Sequence, residues 1–142
     1  MKVDSEKLQK IVQIVFVALA IAILMKMAST IYPIWSNDPA VKYKIARDQI
    51  KLLAGAMDEL RFDCGAFPSE NQGLQALFQK PQEFSCKDYS PDGYLSDNEL
   101  LMDPWGQRFQ YRTDSKTYEI FSYGADRQAG GEAYSRDLSS KD

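Results

Sequence analysis

The side chains with chemical potential in this sequence are oxygens and sulfurs rather than imidazoles. There is no histidine among the 142 residues, which removes the commonest general base and the commonest transition-metal ligand. Serines, aspartates and glutamates are plentiful, yet no metal triad or glycine-rich phosphate loop frames them, so an enzymatic reading finds no support. What remains is a pair of cysteines, Cys64 and Cys86, and a closing stretch from Tyr123 to Asp142 rich in Gly, Ser and Asp and without apolar periodicity. Such a stretch is either a disordered tail or a loop held by something other than a core.

The elements that must position these groups begin with an apolar run, Ile11 to Met25, in which Gln13 is the single polar residue. Continued past Lys26 through Met27, Ala28 and Ile31, it reaches the length of about 20 residues that a membrane-spanning helix needs. Lys26 can snorkel toward the headgroups. Tyr32 and Trp35 stand where an aromatic belt would sit, and Pro33 is expected to stop or kink the helix. The alternatives are a cleaved secretory signal, for which Met27-Ala28-Ser29 is a poor site, and a buried core helix. The expected division is a cytoplasmic tail or leader over 1–10, a transmembrane helix over 11–35 and one globular domain over 36–142. Lys2, Lys7 and Lys10 put the N-terminal side in the cytoplasm and export the domain. In an oxidising compartment Cys64 and Cys86 would pair; otherwise they are two buried thiols. The formal charge is −3, and 14 acidic against 8 basic residues from Asp63 onward leave no basic stripe for nucleic acid.

Asp38 and Pro39 make a helix start, as N-cap and first helical residue. Val41, Ile45, Leu52, Leu53, Ala56, Met57 and Leu60 then recur at helical spacing, and Lys42, Lys44, Arg47, Lys51, Asp58 and Arg61 fill the other faces. This amphipathic helix of about six turns should close near Gly65 in a left-handed cap. Ser69 and Gln72 have capping-box spacing ahead of a short helix carrying Leu74, Leu77 and Phe78. Gly73 should let that helix approach the long one closely. The stretch 81–98 reads as loop with a turn at Pro91-Asp92-Gly93, and Asp103-Pro104-Trp105-Gly106 reads as a second turn, with Trp105 capping a small core. Phe109 to Arg112 and Tyr118 to Phe121 read as the strands of a hairpin around Thr113–Lys116.

The order and spacing of Arg61-Phe62-Asp63-x-Gly65-x-Phe67-Pro68, Gln72-Gly73-Leu74, Gly93-Tyr94-Leu95, Asp103-Pro104-Trp105-Gly106, Phe121-Ser122-Tyr123-Gly124-Ala125-Asp126 and Gly130-Gly131 resemble the major pseudopilins of type II secretion systems. The resemblance covers roughly 48–138. It implies an α+β, pilin-like fold: a long N-terminal helix, apolar then amphipathic, packed on a small domain with a short helix, a small antiparallel sheet and a long C-terminal loop. The implied function is a structural subunit of the periplasmic pseudopilus, anchored once in the inner membrane and partnered by other pseudopilins and inner-membrane secretion components, as a homo-oligomer or filament.

The resemblance also implies that the closing loop binds calcium, a hard cation that collects carboxylate and carbonyl oxygens. Residue by residue, Asp126 and Asp137 match side-chain ligands, and the carbonyls of Tyr123 and Gln128 match backbone ligands. Arg127 replaces a glycine and Arg136 replaces an acidic ligand. Two arrangements therefore stay open: calcium with Asp126, Asp137 and oxygens from Glu132 or Ser135, or a loop closed by an Arg–Asp pair. At the N-terminus, Lys10 and Val15 stand where the resembled proteins carry the leader glycine and the membrane glutamate. The expectation is an uncut anchor, and with it an alternative function: a membrane-tethered adaptor that keeps the pseudopilin fold without polymerising.

Overall fold

The computed structural model describes residues 5–142, apart from the side chains of residues 5, 6, 8 and 30–36. Lys2 and the expected aromatic belt of Tyr32 and Trp35 lie outside that set. The chain divides into two compact units, the first ending at Asp38 and the second running Pro39–Asp142.

The first unit is a helix, α1, Ser5–Ser36. It continues past Pro33, because losing one backbone donor removes a single rung of the helical ladder without ending the helix. Within it, Gln9–Ser29 is long and apolar enough to cross a membrane. Its apolar side chains are exposed on every side, Ile14 and Phe16 at 68% and Leu24 at 64%. In water that much exposed apolar surface is unfavourable by about 25 cal/mol per Å².

The second unit is built on α2, Pro39–Cys64. Ala46, Ile50, Leu53, Met57 and Leu60 alternate steps of four and three, and all are buried. This corrects the expected stripe: Ile45 and Leu52 are 44% and 48% exposed. They lie seven residues apart along the border of the buried arc, which the small sheet is too narrow to cover. The helix ends as expected, the Gly65 amide donating to the Arg61 carbonyl at 2.9 Å with Gly65 at φ +73°. Cys64, its last residue, is disulfide-bonded to Cys86 with Cα atoms 4.7 Å apart. Closing this loop removes unfolded-state entropy equivalent to about 3 kcal/mol in the chain-entropy account.

Ser69 and Gln72 cap each other, Ser69 N donating to Gln72 Oε1 at 2.9 Å and Gln72 N to Ser69 Oγ at 3.4 Å. The element that follows is a 3₁₀ helix, Gly73–Leu77. The expected reason for Gly73 is corrected: a Cβ there would meet nothing within 4 Å, and what the position demands is its φ of +56°. Close approach belongs to Gly93 instead, where a Cβ would fall 2.6 Å from the Phe78 carbonyl oxygen. At the end of the stretch read as loop a further 3₁₀ turn begins, Asn98–Leu101, capped by the Asp97 side chain, which accepts from the Glu99 amide.

Three antiparallel strands, β1 Gln110–Thr113, β2 Tyr118–Ser122 and β3 Leu138–Ser139, lie in that order. The Thr113–Lys116 hairpin is closed by Asp114, whose Oδ1 accepts from the Lys116 and Thr117 amides. β3 and a 3₁₀ turn at Ala133–Ser135 fall in the stretch read as either a disordered tail or a loop held by something other than a core. Leu138, 2% exposed, joins the core there, and Ser140 exchanges hydrogen bonds with Ile120. Across the sheet face Glu119 accepts from Arg112 Nε at 2.8 Å and Ser139 Oγ at 2.7 Å, with Lys141 Nζ 3.5 Å away. Tyr118 OH ties the sheet to α2 through the Ala54 carbonyl and Asp58.

Two outcomes follow. Gly93→Ala should destabilise the domain by more than 2 kcal/mol in chemical denaturation, whereas Gly73→Ala should cost only about 1 kcal/mol, the left-handed penalty alone. The Ser139 hydroxyl first, then Arg112 and Lys141, hold the Glu119 carboxyl below its ordinary value. A depressed folded-state pKa gives stability that is present above the unfolded value of about 4.3 and is lost as pH falls through the folded value. Glu119→Gln should therefore lower stability at neutral pH and flatten the acid limb of a stability–pH curve.

Candidate functional site

The C-terminal loop, residues 123–137, is placed by a buried carboxylate that the sequence reading took only for turn chemistry. Asp103, 4% exposed, accepts through Oδ1 from the amides of Trp105 at 3.0 Å and Gln107 at 2.8 Å. Its Oδ2 accepts from Ser122 Oγ at 2.6 Å, and Ser122 Oγ in turn accepts from the Gly124 amide at 3.1 Å. The turn, the end of β2 and the start of the loop are thereby one hydrogen-bonded unit. An aspartate immediately before Pro-x-Gly is the available sequence signal, since Asp side chains bond amides two residues on.

The loop then folds over a glycine pair. Gly130 N donates to Asp137 Oδ2 at 3.0 Å, and Asp137 N returns a bond to the Gly130 carbonyl at 3.0 Å. At Gly131, φ +79°, a Cβ would collide with the Ser135 carbonyl and sit 3.0 Å from Asp126 Oδ2. Asp137 thus meets the first glycine of the pair and Asp126 the second. Asp126 Oδ1 accepts from the Gln128 amide at 3.1 Å, and its side chain is otherwise exposed. Asp137 Oδ1 is buried with no hydrogen-bond partner. A buried, unpartnered carboxylate oxygen is costly unless a cation or donor meets it.

The Arg–Asp closure is not what the structure contains. Arg136 donates from Nη2 to the Tyr43 hydroxyl at 3.1 Å, beside the Tyr134 ring, which stands edge-on to Tyr43 at 6.0 Å. Arg127 donates to the Trp105 carbonyl at 3.2 Å. Both guanidinium groups reach out of the loop to dock it, Arg136 on α2 and Arg127 on the Asp103 turn. Arg127 adopts φ +63°, the left-handed region in which a side chain costs about 1 kcal/mol or more. Glycine, which the resemblance has at that position, would adopt this φ without the penalty.

The donor set toward a cation is all oxygen: the carboxylates of Asp126 and Asp137, with the Ser135 carbonyl against Gly131. Glu132 is exposed and has no bond to the loop's glycines. Tyr123 packs edge-on against Phe121 at 5.3 Å, and Gln128 follows Arg127 on the exposed side. Among the described residues no three His, Cys, Asp or Glu side chains converge as a metal group. A hard cation relying on two carboxylates and backbone carbonyls fits this set, and a thiophilic or imidazole-seeking metal does not. Lys10 and Val15, the departures in the apolar segment, both lie within α1, Val15 50% exposed.

The sequence profile of the family described as "Type II secretion system (T2SS), protein G" matches residues 34–141. The chain is 33% identical over 130 residues to the type II secretion system core protein G of Pseudomonas aeruginosa, covering 89% of this chain and 90% of that one. It is 34% identical over 126 residues to the core protein G of Vibrio cholerae, covering 86% and 84%. Among solved structures it is similar to the major pseudopilin from the type 2 secretion system of enterohaemorrhagic Escherichia coli, with a TM-score of 0.61 at 28% identity over 73% of this chain and 86% of that one.

Asp103→Ala should remove three hydrogen bonds and leave buried donors unmet, a loss of about 3 kcal/mol in chemical denaturation, with Asp103→Asn intermediate. Equal stability of the alanine variant and the parent would mean that Asp103 does not hold the turn to the loop.

Proposed function

We infer the role of this chain from its membership of the type II secretion system protein G family, to which it belongs, and read it as a structural subunit of a pseudopilus. Its family is a structural, non-enzymatic one, and the work of such a subunit is to present packing surfaces rather than to turn over a substrate. α1 serves as the membrane anchor of the subunit. Its all-round apolar exposure supports that use, since lipid or neighbouring helices remove the penalty that water imposes.

The finer placement is a bacterial inner membrane crossed once, with the N-terminus in the cytoplasm and the domain of residues 39–142 in the periplasm. The observation that carries it is the Cys64–Cys86 disulfide, because such bonds persist in oxidising compartments; Lys7 ahead of the span and Lys10 at its N-terminal end favour the same orientation. The partners on this reading are other pseudopilins, further copies of this chain and inner-membrane secretion components.

The loop is proposed as a calcium site. Asp126 and Asp137 would hold the ion with backbone carbonyls, among which Tyr123 and Gln128 are the resemblance's candidates. The unpartnered Asp137 Oδ1 supports the proposal. A bound divalent ion would neutralise two carboxylates and fix a loop that has few apolar contacts of its own. Asp137 holds Gly130 at both its amide and its carboxylate, Arg136 and Tyr134 fasten the loop to α2, and Ser122 fixes its start.

Millimolar calcium should raise the thermal midpoint relative to chelator, by a linkage of about 2.7 kcal/mol at a hundredfold excess over the dissociation constant. Asp137→Asn should lose most of that shift while remaining folded. An unchanged midpoint in the parent chain would sink the calcium reading.

A further inference from the structure

Of the two α2 border residues, Ile45 opens into a shallow groove of about 540 Å³, with Leu100 and Met102 along its apolar length and Asp97 and Glu99 on its rim. Ile45 and Met102 are 44% and 40% exposed. Gln49 donates to the Met102 carbonyl at 3.3 Å, and its Oε1 has no hydrogen-bond donor. The rim belongs to an acidic stretch: 80–103 holds six carboxylates against two lysines.

The same helix carries the opposite charge elsewhere. Over 39–51 there are four cations against Asp48. Lys44 is engaged by Asp48 at 2.7 Å and Lys42 is half-buried, which leaves as the exposed positive charges Lys51 and Arg47, the latter with its guanidinium 5.5 Å from the centre of the Tyr43 ring. Among the described residues neither forms an ion pair, and neither does Glu99. At about 100° per residue, Arg47 and Lys51 lie roughly a third of a turn or more around α2 from Ile45 and Leu52. The basic ridge and the acidic groove therefore face different directions, and one copy cannot satisfy its own pair.

We propose that the groove receives the Arg47–Lys51 ridge of a second copy of this chain in a head-to-tail contact. The proposal rests on the pseudopilus reading and names the surfaces through which copies would meet. Two different, complementary patches on one chain make a heterologous interface, which repeats along an open assembly instead of closing as a two-fold dimer. The apolar length supplies burial, the rim carboxylates set register and orientation, and like charges oppose the reversed alignment.

The test uses the full chain, isotopically heavy and light copies mixed in phosphatidylcholine vesicles and joined by a water-soluble carbodiimide that couples carboxylates to lysine amines. The expected product is a heavy–light peptide linking Lys51 to Glu99 or Asp97. Arg47→Glu with Lys51→Glu should lower the yield of heavy–light adducts about tenfold, and mixing that variant with Asp97→Lys, Glu99→Lys copies should restore association. Heavy–light adducts through other residues, insensitive to these reversals, would overturn the groove contact while leaving assembly standing. No heavy–light adducts at all would overturn the contact and the self-assembling reading together. Shielding of Lys51 from amine reagents only when phosphatidylglycerol is added, without heavy–light adducts, would assign the ridge to a membrane surface and also overturn the proposal.

Discussion

The domain depends on one buried carboxylate. Asp103 must be hydrogen-bonded to be tolerated in the interior, and it is satisfied only when its own turn and the end of β2 arrive together. Its Oδ1 closes the turn that ends the acidic stretch, and its Oδ2 meets the serine that ends β2. Because Ser122 passes the connection on to Gly124, the C-terminal loop starts from a defined point. Everything the loop then does, including the placing of Asp137 on Gly130 and of Asp126 beside Gly131, inherits that origin. Polar specification of this kind suits a small domain whose apolar core is limited by size.

Much of this architecture was legible in the residues. Asp38-Pro39 and Gly65 bracket α2, the Ser69–Gln72 cap is reciprocal, and both Pro/Gly turns stand where their chemistry puts them. These are local features, decided within four or five residues. The misreadings concern distance. Periodicity alone does not say which edge of an apolar stripe a narrow sheet will cover, so Ile45 and Leu52 were assigned inward. Gly73 and Gly93 look alike in sequence, but only three-dimensional proximity distinguishes a glycine needed for its φ from one needed for its missing Cβ.

The candidate site was legible in part, and for the same reason. Asp126 and Asp137 are carried over from the resemblance, and the structure places Asp137 on Gly130 and Asp126 beside Gly131. The destinations of Arg127 and Arg136 could not be read, because a guanidinium beside a carboxylate in sequence has many partners within its reach. Here both turn outward, to Trp105 and Tyr43, so positive charge that looked destined for the loop interior instead fastens its outside. A long cationic side chain can substitute for apolar contacts in docking a polar segment.

The sheet is completed by β3, whose Leu138 enters a core lined by α2, and the Arg136–Tyr43 bond spans 93 positions of chain. Contacts of such high order are made late, because a long loop must be closed before they return any stabilisation. A polypeptide that emerges N-terminal end first delivers β3 after α2 and the hairpin. The domain thus remains incomplete until the segment that closes it has itself been released.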